Sequence, residues 1–265
     1  MKIDGSTQII AHLCFPSAHL RTAQLLNPIW AESGHNAVLI PWQVHPKNLE
    51  SVFSSLRHSE SVAGVLVTVP HKTSVAALCD ELSGTASFLG AANVAKRTSD
   101  GRFIGQMFDG DGFVQGLISQ GHAVKGRKVL LIGAGGAASG IAFALVKAGV
   151  SSLTINNRTV SKSKALALKL NQNFNCNTVK VGISSAGGHD LIVNGTSLGM
   201  SANDSMPFDP NTIDRGALLA EVVMEPEQTP ILKAAEALGI LTHGGKHMIT
   251  SQLELFTDFL LGSKD

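Results

Sequence analysis

An α/β fold of two domains is what this sequence predicts. Short apolar, β-rich runs alternate with stretches of helical spacing throughout the chain, as layered α/β folds require. A glycine turn between an apolar strand and a long apolar helix (VLLIGAGGAASGIAFALVKAG, residues 129–149) opens a second unit. The 265 residues, 44% hydrophobic and 15% charged, supply enough chain for two modest domains with ample core.

The elements follow in order. Residues 9–15 (IIAHLCF) read as a first strand ended by Pro16, and 18–32 have helical spacing. Residues 37–41 form a second strand and 46–56 a second helix, with Pro46 at its start. Residues 62–69 (VAGVLVTV) form a third strand stopped by Pro70, and the rhythm continues through 76–82 and 91–95 to Gly105. In the second unit, 113–119 read as a helix, 153–156, 191–194 and 217–223 as strands, and 232–238 as a helix ended by Gly239. The last helix, about 249–261, is apolar on two faces, so it is expected to return to the first unit. The expected domains are therefore 1–111 completed by 241–265, and 112–240. No repeat of 20 to 50 residues and no low-complexity linker is visible.

Composition excludes several classes of function. A net charge of +1 leaves no basic excess to hold a nucleic-acid backbone. No apolar run approaches the roughly 18 residues that span a bilayer, so no membrane association is expected. The start of the chain has no basic-then-apolar export pattern, and the three cysteines form no CxxC pair, which fits reduced thiols in the cytoplasm. His243 and His247, four apart, are separated by two glycines with no carboxylate near, so no metal site is expected. There is no tyrosine at all, so a proton carrier must be Lys, His, Cys or a carboxylate.

The glycine turn selects a ligand. Gly133, Gly135 and Ala138 stand at GxGxxA spacing after a strand and before a helix, with Gly136 and Ala137 inside the turn. The first glycine permits the tight turn, the second lets backbone N–H groups approach a pyrophosphate, and the small third residue lets helix and strand pack closely. This is the dinucleotide-binding pattern of a Rossmann-type domain. About twenty residues on, NAD-binding chains place an acidic residue on the ribose diol. Here the second strand runs instead into Asn157-Arg158-Thr159, with Lys162 four residues beyond Arg158. Cations in place of a carboxylate suit a 2′-phosphate, so NADP is expected over NAD.

Several motifs then coincide in order. Residues 64–72 read GVLVTVPHK and 90–93 read GAAN; 105–109 end in Asp109; 157–159 are NRT; 194–200 read NGTSLGM; Thr229-Pro230 follows; and 245–252 read GKHMITSQ. Together these resemble the shikimate dehydrogenase family over nearly the whole length. That resemblance implies a two-domain α/β enzyme of aromatic amino acid biosynthesis, moving hydride between NADP and a ring alcohol, as a monomer or homodimer. It implies Lys72 and Asp109 as the catalytic pair, and Thr22, Thr68, Asn93 and Gln252 as substrate contacts. It also implies Thr196 and Ser197 on the coenzyme, with Gly245 and Met248 near the nicotinamide.

The chain departs from the family pattern at one end of the expected pocket. The first motif, H-S-x-S-P-x-x-H-N, appears here as residues 19–27, from His19 to Asn27, with Leu20 for the first serine and Thr22 for the second. The asparagine of the N-V-T motif is Leu66, and Met224 stands for the tyrosine that helps to bind the substrate carboxylate. Polar groups expected around the ring hydroxyls are kept, while carboxylate anchors are lost. Each lost anchor to a charged ligand costs about 1.5–3 kcal/mol. Arg21 is adjacent but, in an extended segment, points away from Leu20 and Thr22. Three readings follow: turnover of shikimate or a related cyclic polyol or hydroxy acid; the same chemistry on a ring substrate without a carboxylate, with Leu20, Leu66 and Met224 as an apolar wall; or a non-catalytic NADP-binding sensor. Retention of Lys72, Asp109, Asn93 and Gln252 together argues against the sensor.

Overall fold

Runs of β-branched and aliphatic residues pair into two six-stranded sheets, and a computed structural model describes them over residues 2–18, 20–182, 185–201 and 203–262. The first unit comprises the residues up to Phe108 and those from Leu253 onward. Its elements are β1 (Gln8–Cys14), α1 (Thr22–Glu32), β2 (Ala37–Gln43), α2 (Leu49–Arg57), β3 (Val62–Val67), α3 (Lys72–Leu78), β4 (Glu81–Leu82), α4 (Gly84–Leu89), β5 (Val94–Arg97) and β6 (Phe103–Gln106). The strand order is β2-β1-β3-β5-β6-β4. Strands β2, β1 and β3 are parallel, and β5 runs antiparallel to both β3 and β6.

Alternation along the strands sorts this unit into two cores. Ala11, Val65 and Val67 face Leu49, Phe53 and Leu56 of α2, with Phe103. Ile10, Leu39 and Leu66 face the other way, onto Leu26 and Trp30 of α1. The last helix, introduced below, adds Leu253, Phe256 and Leu260 to that second core, and the Trp30 indole donates a hydrogen bond to Thr257 Oγ1 at 2.8 Å. Leu66 is 1% exposed, so it is core and not a pocket wall.

The second unit runs from Asp109 to Gln252. It contains α5 (Asp109–Ser119), β7 (Lys128–Ile132), α6 (Gly136–Lys147), β8 (Ser152–Asn156), α7 (Val160–Phe174), β9 (Val179–Val181), β10 (Leu191–Asn194), β11 (Leu218–Glu221), α8 (Pro230–Ala237), β12 (Leu241–His243) and the start of α9 (Lys246–Leu261). Its strands are all parallel, in the order β12-β11-β10-β7-β8-β9. Counted within this unit, that is the 3-2-1-4-5-6 order of a doubly wound sheet, which reverses between β7 and β10 and opens a ligand crevice there.

Boundaries differ from the sequence reading for local reasons. The helix expected from residue 18 starts at Thr22, because Arg21 turns its guanidinium back onto the Ala18 and Leu20 carbonyls (2.9 and 3.1 Å) and holds a turn there. The helix expected from Pro46 is a single 3₁₀ turn before α2. β3 ends at Val67, where Thr68–His71 turn with a His71 N–H to Thr68 carbonyl bond of 2.9 Å. α5 begins at Asp109, not at residue 113, despite glycines at 110, 112 and 116 that lower helix propensity. A Cβ on Gly110 would overlap the Gly140 carbonyl, so α5 and α6 pack backbone to backbone there. The first unit therefore ends at Phe108 in place of 111, and because β12 joins the second sheet, the return comes after Gln252 and not at 241.

Candidate active site

The crevice at the strand reversal is built by the glycine turn. Gly133 has φ +115°, a left-handed backbone open to glycine alone, and a Cβ there would meet the Gly195 carbonyl oxygen at 2.8 Å. Its N–H bonds the Asn156 carbonyl (2.8 Å), while the Gly195 N–H bonds that of Ile132 (2.8 Å). The ends of β7, β8 and β10 are thus stitched together. Gly135 and Gly136 open α6 with nothing near their Cβ positions, leaving its N-terminal N–H groups approachable. Ala137 follows in the first turn, and buried Ala138 lies against Gly195.

A cavity of about 360 Å³ lies beside this turn. Gly133, Asn156, Asn157 and Arg158 line it, together with Thr196, Ser197, Leu198 and Pro207. Asn157 Nδ2 donates to the Thr159 carbonyl (3.0 Å), which shapes the turn into α7, and exposed Lys162 sits in the first turn of that helix. Among the described residues no carboxylate lines the cavity, and Arg158, which does, is exposed. Neutral amides and hydroxyls with one cation suit a ribose bearing a 2′-phosphate. Gly245 and Met248 lie elsewhere in this unit. Gly245 packs its bare Cα against the Val223 carbonyl oxygen (2.5 Å to a Cβ), and the Met248 carbonyl lies over Gly112.

Within the first unit, the turn after β3 gathers three expected residues. His71 is buried and bonds the Val44 carbonyl through Nε2 (2.8 Å), which fixes the start of α3 and hence Lys72, its first residue. The Lys72 carbonyl accepts the Ala92 N–H (2.9 Å), and the Asn93 carbonyl accepts the Val67 N–H (2.8 Å). Thr68, Lys72 and Asn93 are therefore neighbours through backbone bonds. Buried Asn93 also accepts the Phe108 N–H on Oδ1 (3.0 Å). Thr22 opens α1, half-buried, and Leu20 beside it is also half-buried, whereas His19 lies outside the described residues. Asn27, from the same motif, is structural: its amide bonds both the N–H and the C=O of Leu39 (2.8 and 3.0 Å) and so closes the free edge of β2.

Asp109 and Gln252 meet in the second unit. Both are buried, and Gln252 Nε2 donates to Asp109 Oδ1 at 3.1 Å. Gly112 makes room, because a Cβ there would overlap the Gln252 side chain. Met224 is 44% exposed. His243 lies on β12 and His247 in α9, so the two do not share a helix face; their rings nevertheless meet at 4.8 Å, with His122 5.6 Å from His243. Burial, then His247 and His122, hold the His243 imidazole down at about 4. Among the described residues no group of three His, Cys, Asp or Glu side chains is placed to hold a metal ion.

Two side chains here were given no role from the sequence, although Asn194 opens the NGTSLGM motif. Glu221 is fully buried at the end of β11 and bonded by the Asn194 amide at the end of β10. A charged residue closing an apolar strand (LLAE) was the available signal.

The known proteins agree with this geometry. Residues 13–95 match the family model for the shikimate dehydrogenase substrate binding domain, and 117–199 match that for shikimate / quinate 5-dehydrogenase. A shikimate dehydrogenase (NADP(+)) of Rubrobacter xylanophilus is 36% identical over 95% of this chain and 89% of its own. A shikimate dehydrogenase crystallised with NADP+ superposes with a TM-score of 0.90 at 28% identity, over 99% of this chain and 93% of the other. The ligand-free 5-ketofructose reductase of Gluconobacter sp. strain CHM43 superposes with a TM-score of 0.89 at 28% identity, over 97% and 94%. This chain belongs to the shikimate dehydrogenase family.

Proposed function

We propose that this member of the family is an NADP-dependent oxidoreductase that interconverts a ring alcohol and its ketone, with a substrate held by its hydroxyls more than by a carboxylate. One observation carries the choice of substrate: the segment that begins the first helix presents Leu20 and Thr22 where two serine hydroxyls would grip a carboxylate, and the neighbouring Arg21 spends its guanidinium on the Ala18 and Leu20 carbonyls. Met224 likewise offers no hydroxyl. A carboxylate buried without such donors loses affinity by about ten- to hundredfold per missing bond. The likeness to 5-ketofructose reductase supports the same choice, since 5-ketofructose is a keto sugar with no carboxylate.

NADP is held by Gly133, Gly135 and Gly136 at the pyrophosphate, by Arg158 and Lys162 at the 2′-phosphate, and by the 196–197 strap; when bound, it exchanges hydride with the ring carbon. The proton is handled by Lys72, whose ammonium form protonates the nascent alkoxide in reduction and whose amine form takes the alcohol proton in oxidation. Asp109, oriented by Gln252, is the carboxylate of this reading and accepts a hydrogen bond from the substrate hydroxyl. Thr68 and Asn93 hydrogen-bond the remaining ring hydroxyls, which gives strong discrimination where those groups are buried. Replacement of Lys72 by alanine should lower kcat by orders of magnitude and leave NADP affinity nearly unchanged. Unaltered turnover in K72A removes lysine from the mechanism.

A further inference from the structure

Glu221 is fully buried, and every hydrogen bond to it comes from a neutral donor. The Asn194 amide gives Nδ2 to both carboxylate oxygens (3.0 and 2.9 Å). The N–H groups of Val222 and Val223 reach Oε1 (2.8 and 3.0 Å), and the Thr229 hydroxyl reaches Oε2 (3.1 Å). A carboxylate only accepts, so this set selects the ionised form. Burial opposes it, pushing the carboxyl up from its ordinary range while the four donors pull it down.

The consequence lies on the far side of Asn194. With Nδ2 committed to Glu221, Oδ1 must face away, and there it accepts both the N–H (3.1 Å) and the hydroxyl (2.7 Å) of Thr196. The Thr196 hydroxyl in turn accepts the Leu198 N–H (3.1 Å), and Asn194 Nδ2 also reaches the Leu198 carbonyl (3.1 Å). One amide orientation therefore dictates the turn 196–198. Those three residues line the 360 Å³ cavity, as do Asn157 and Arg158.

We infer that Glu221 is a positioning residue for coenzyme binding: acting through the Asn194 amide, it sets the strap 196–198 in the shape that receives the coenzyme. This rests on the reading above, in which that cavity takes NADP. A neutral side chain at 221 would aim its own NH₂ at donors, release Asn194 to flip, and turn an N–H donor toward the Thr196 N–H.

The test is Glu221→Gln alone and combined with Asn194→Asp, which exchanges donor and acceptor across the pair while keeping an acceptor for Thr196. Thr229→Val serves as a control that removes one bond to Glu221 without touching Asn194. The readouts are NADPH affinity, from the coenzyme's own fluorescence, kcat at saturating coenzyme, and thermal stability. E221Q should weaken NADPH about tenfold or more while kcat falls far less, and the double exchange should restore most of the affinity. T229V should lower stability with little change in affinity. The inference is overturned if folded E221Q binds NADPH as the parent does, or if the exchange fails to restore binding, folded or not. It is equally overturned if E221Q and T229V weaken binding alike, in step with their loss of stability. Arg158→Ala separates the two levels: if it leaves NADP affinity unchanged, the coenzyme reading itself fails, whereas a large loss in R158A with none in E221Q defeats only the role of Glu221.

Discussion

Arg158 and Leu66 show how differently single residues translate from sequence to structure. Arg158 stands exposed among the residues that line the cavity, just after β8, where an acidic residue would select NAD. Replacement by alanine should raise the KM for NADP roughly ten- to hundredfold and leave that for NAD within a few-fold, read from initial rates with each coenzyme. This was legible in the sequence, because a strand, a turn and the next helix lie within thirty residues and their spacing is fixed locally. Leu66 was not. Counted along the motif it replaces a polar contact, but β3 alternates and turns it into the core beside Leu26 and Trp30. Leu66→Asn should therefore cost about 3–5 kcal/mol of stability, seen as a lower urea midpoint, without improving shikimate turnover. Glu221, Asn194 and Gly112 were given no role from the sequence. The pairings that give them one, Asn194 with Glu221 and Gly112 with Gln252, join segments far apart in sequence, so local patterns mark the residues without their roles.

Among the elements, strands and the coenzyme helix were readable from apolar runs and glycine spacing, whereas helix starts were not. α5 begins four residues before the apolar pattern does, carried by glycines that a propensity argument rejects and that close packing on α6 requires. That early start places Asp109 in a helical first turn, bonded to Gln252. β12 was too short and too polar to register, yet it seats His243 against Phe113, His122 and His247. With His243 held at about 4 against an ordinary 6.5, the folded chain takes up this proton less readily than the unfolded one. The resulting stability is fully present above pH 6.5 and is lost as pH falls toward 4, by about 3 kcal/mol. His122, lowered first by its burial and then by Arg127 and His247, loses stability with the same sign. His243→Phe keeps the aromatic packing and should flatten the urea-midpoint profile between pH 6.5 and 4; an unchanged slope would assign the loss to other groups.

At the scale of the whole molecule, two sheets with separate cores divide the work. One unit carries the dinucleotide turn, its cavity and Asp109, and the other carries Lys72, Thr68 and Asn93. The ordered motifs made family and reaction class legible because seven short matches in sequence order leave few other families that fit. Substrate choice was harder to read, since it depends on what the missing anchors leave behind. Arg21, the cation beside those missing anchors, folds its guanidinium onto the Ala18 and Leu20 carbonyls. The decisive measurement is a set of initial rates with NADP(H) on shikimate, quinate and carboxylate-free substrates such as inositols and 5-ketofructose. A carboxylate-free ring polyol or keto sugar should show the higher kcat/KM, with any shikimate oxidation needing concentrations far above micromolar. A micromolar KM for shikimate, with no faster carboxylate-free substrate, would contradict that assignment.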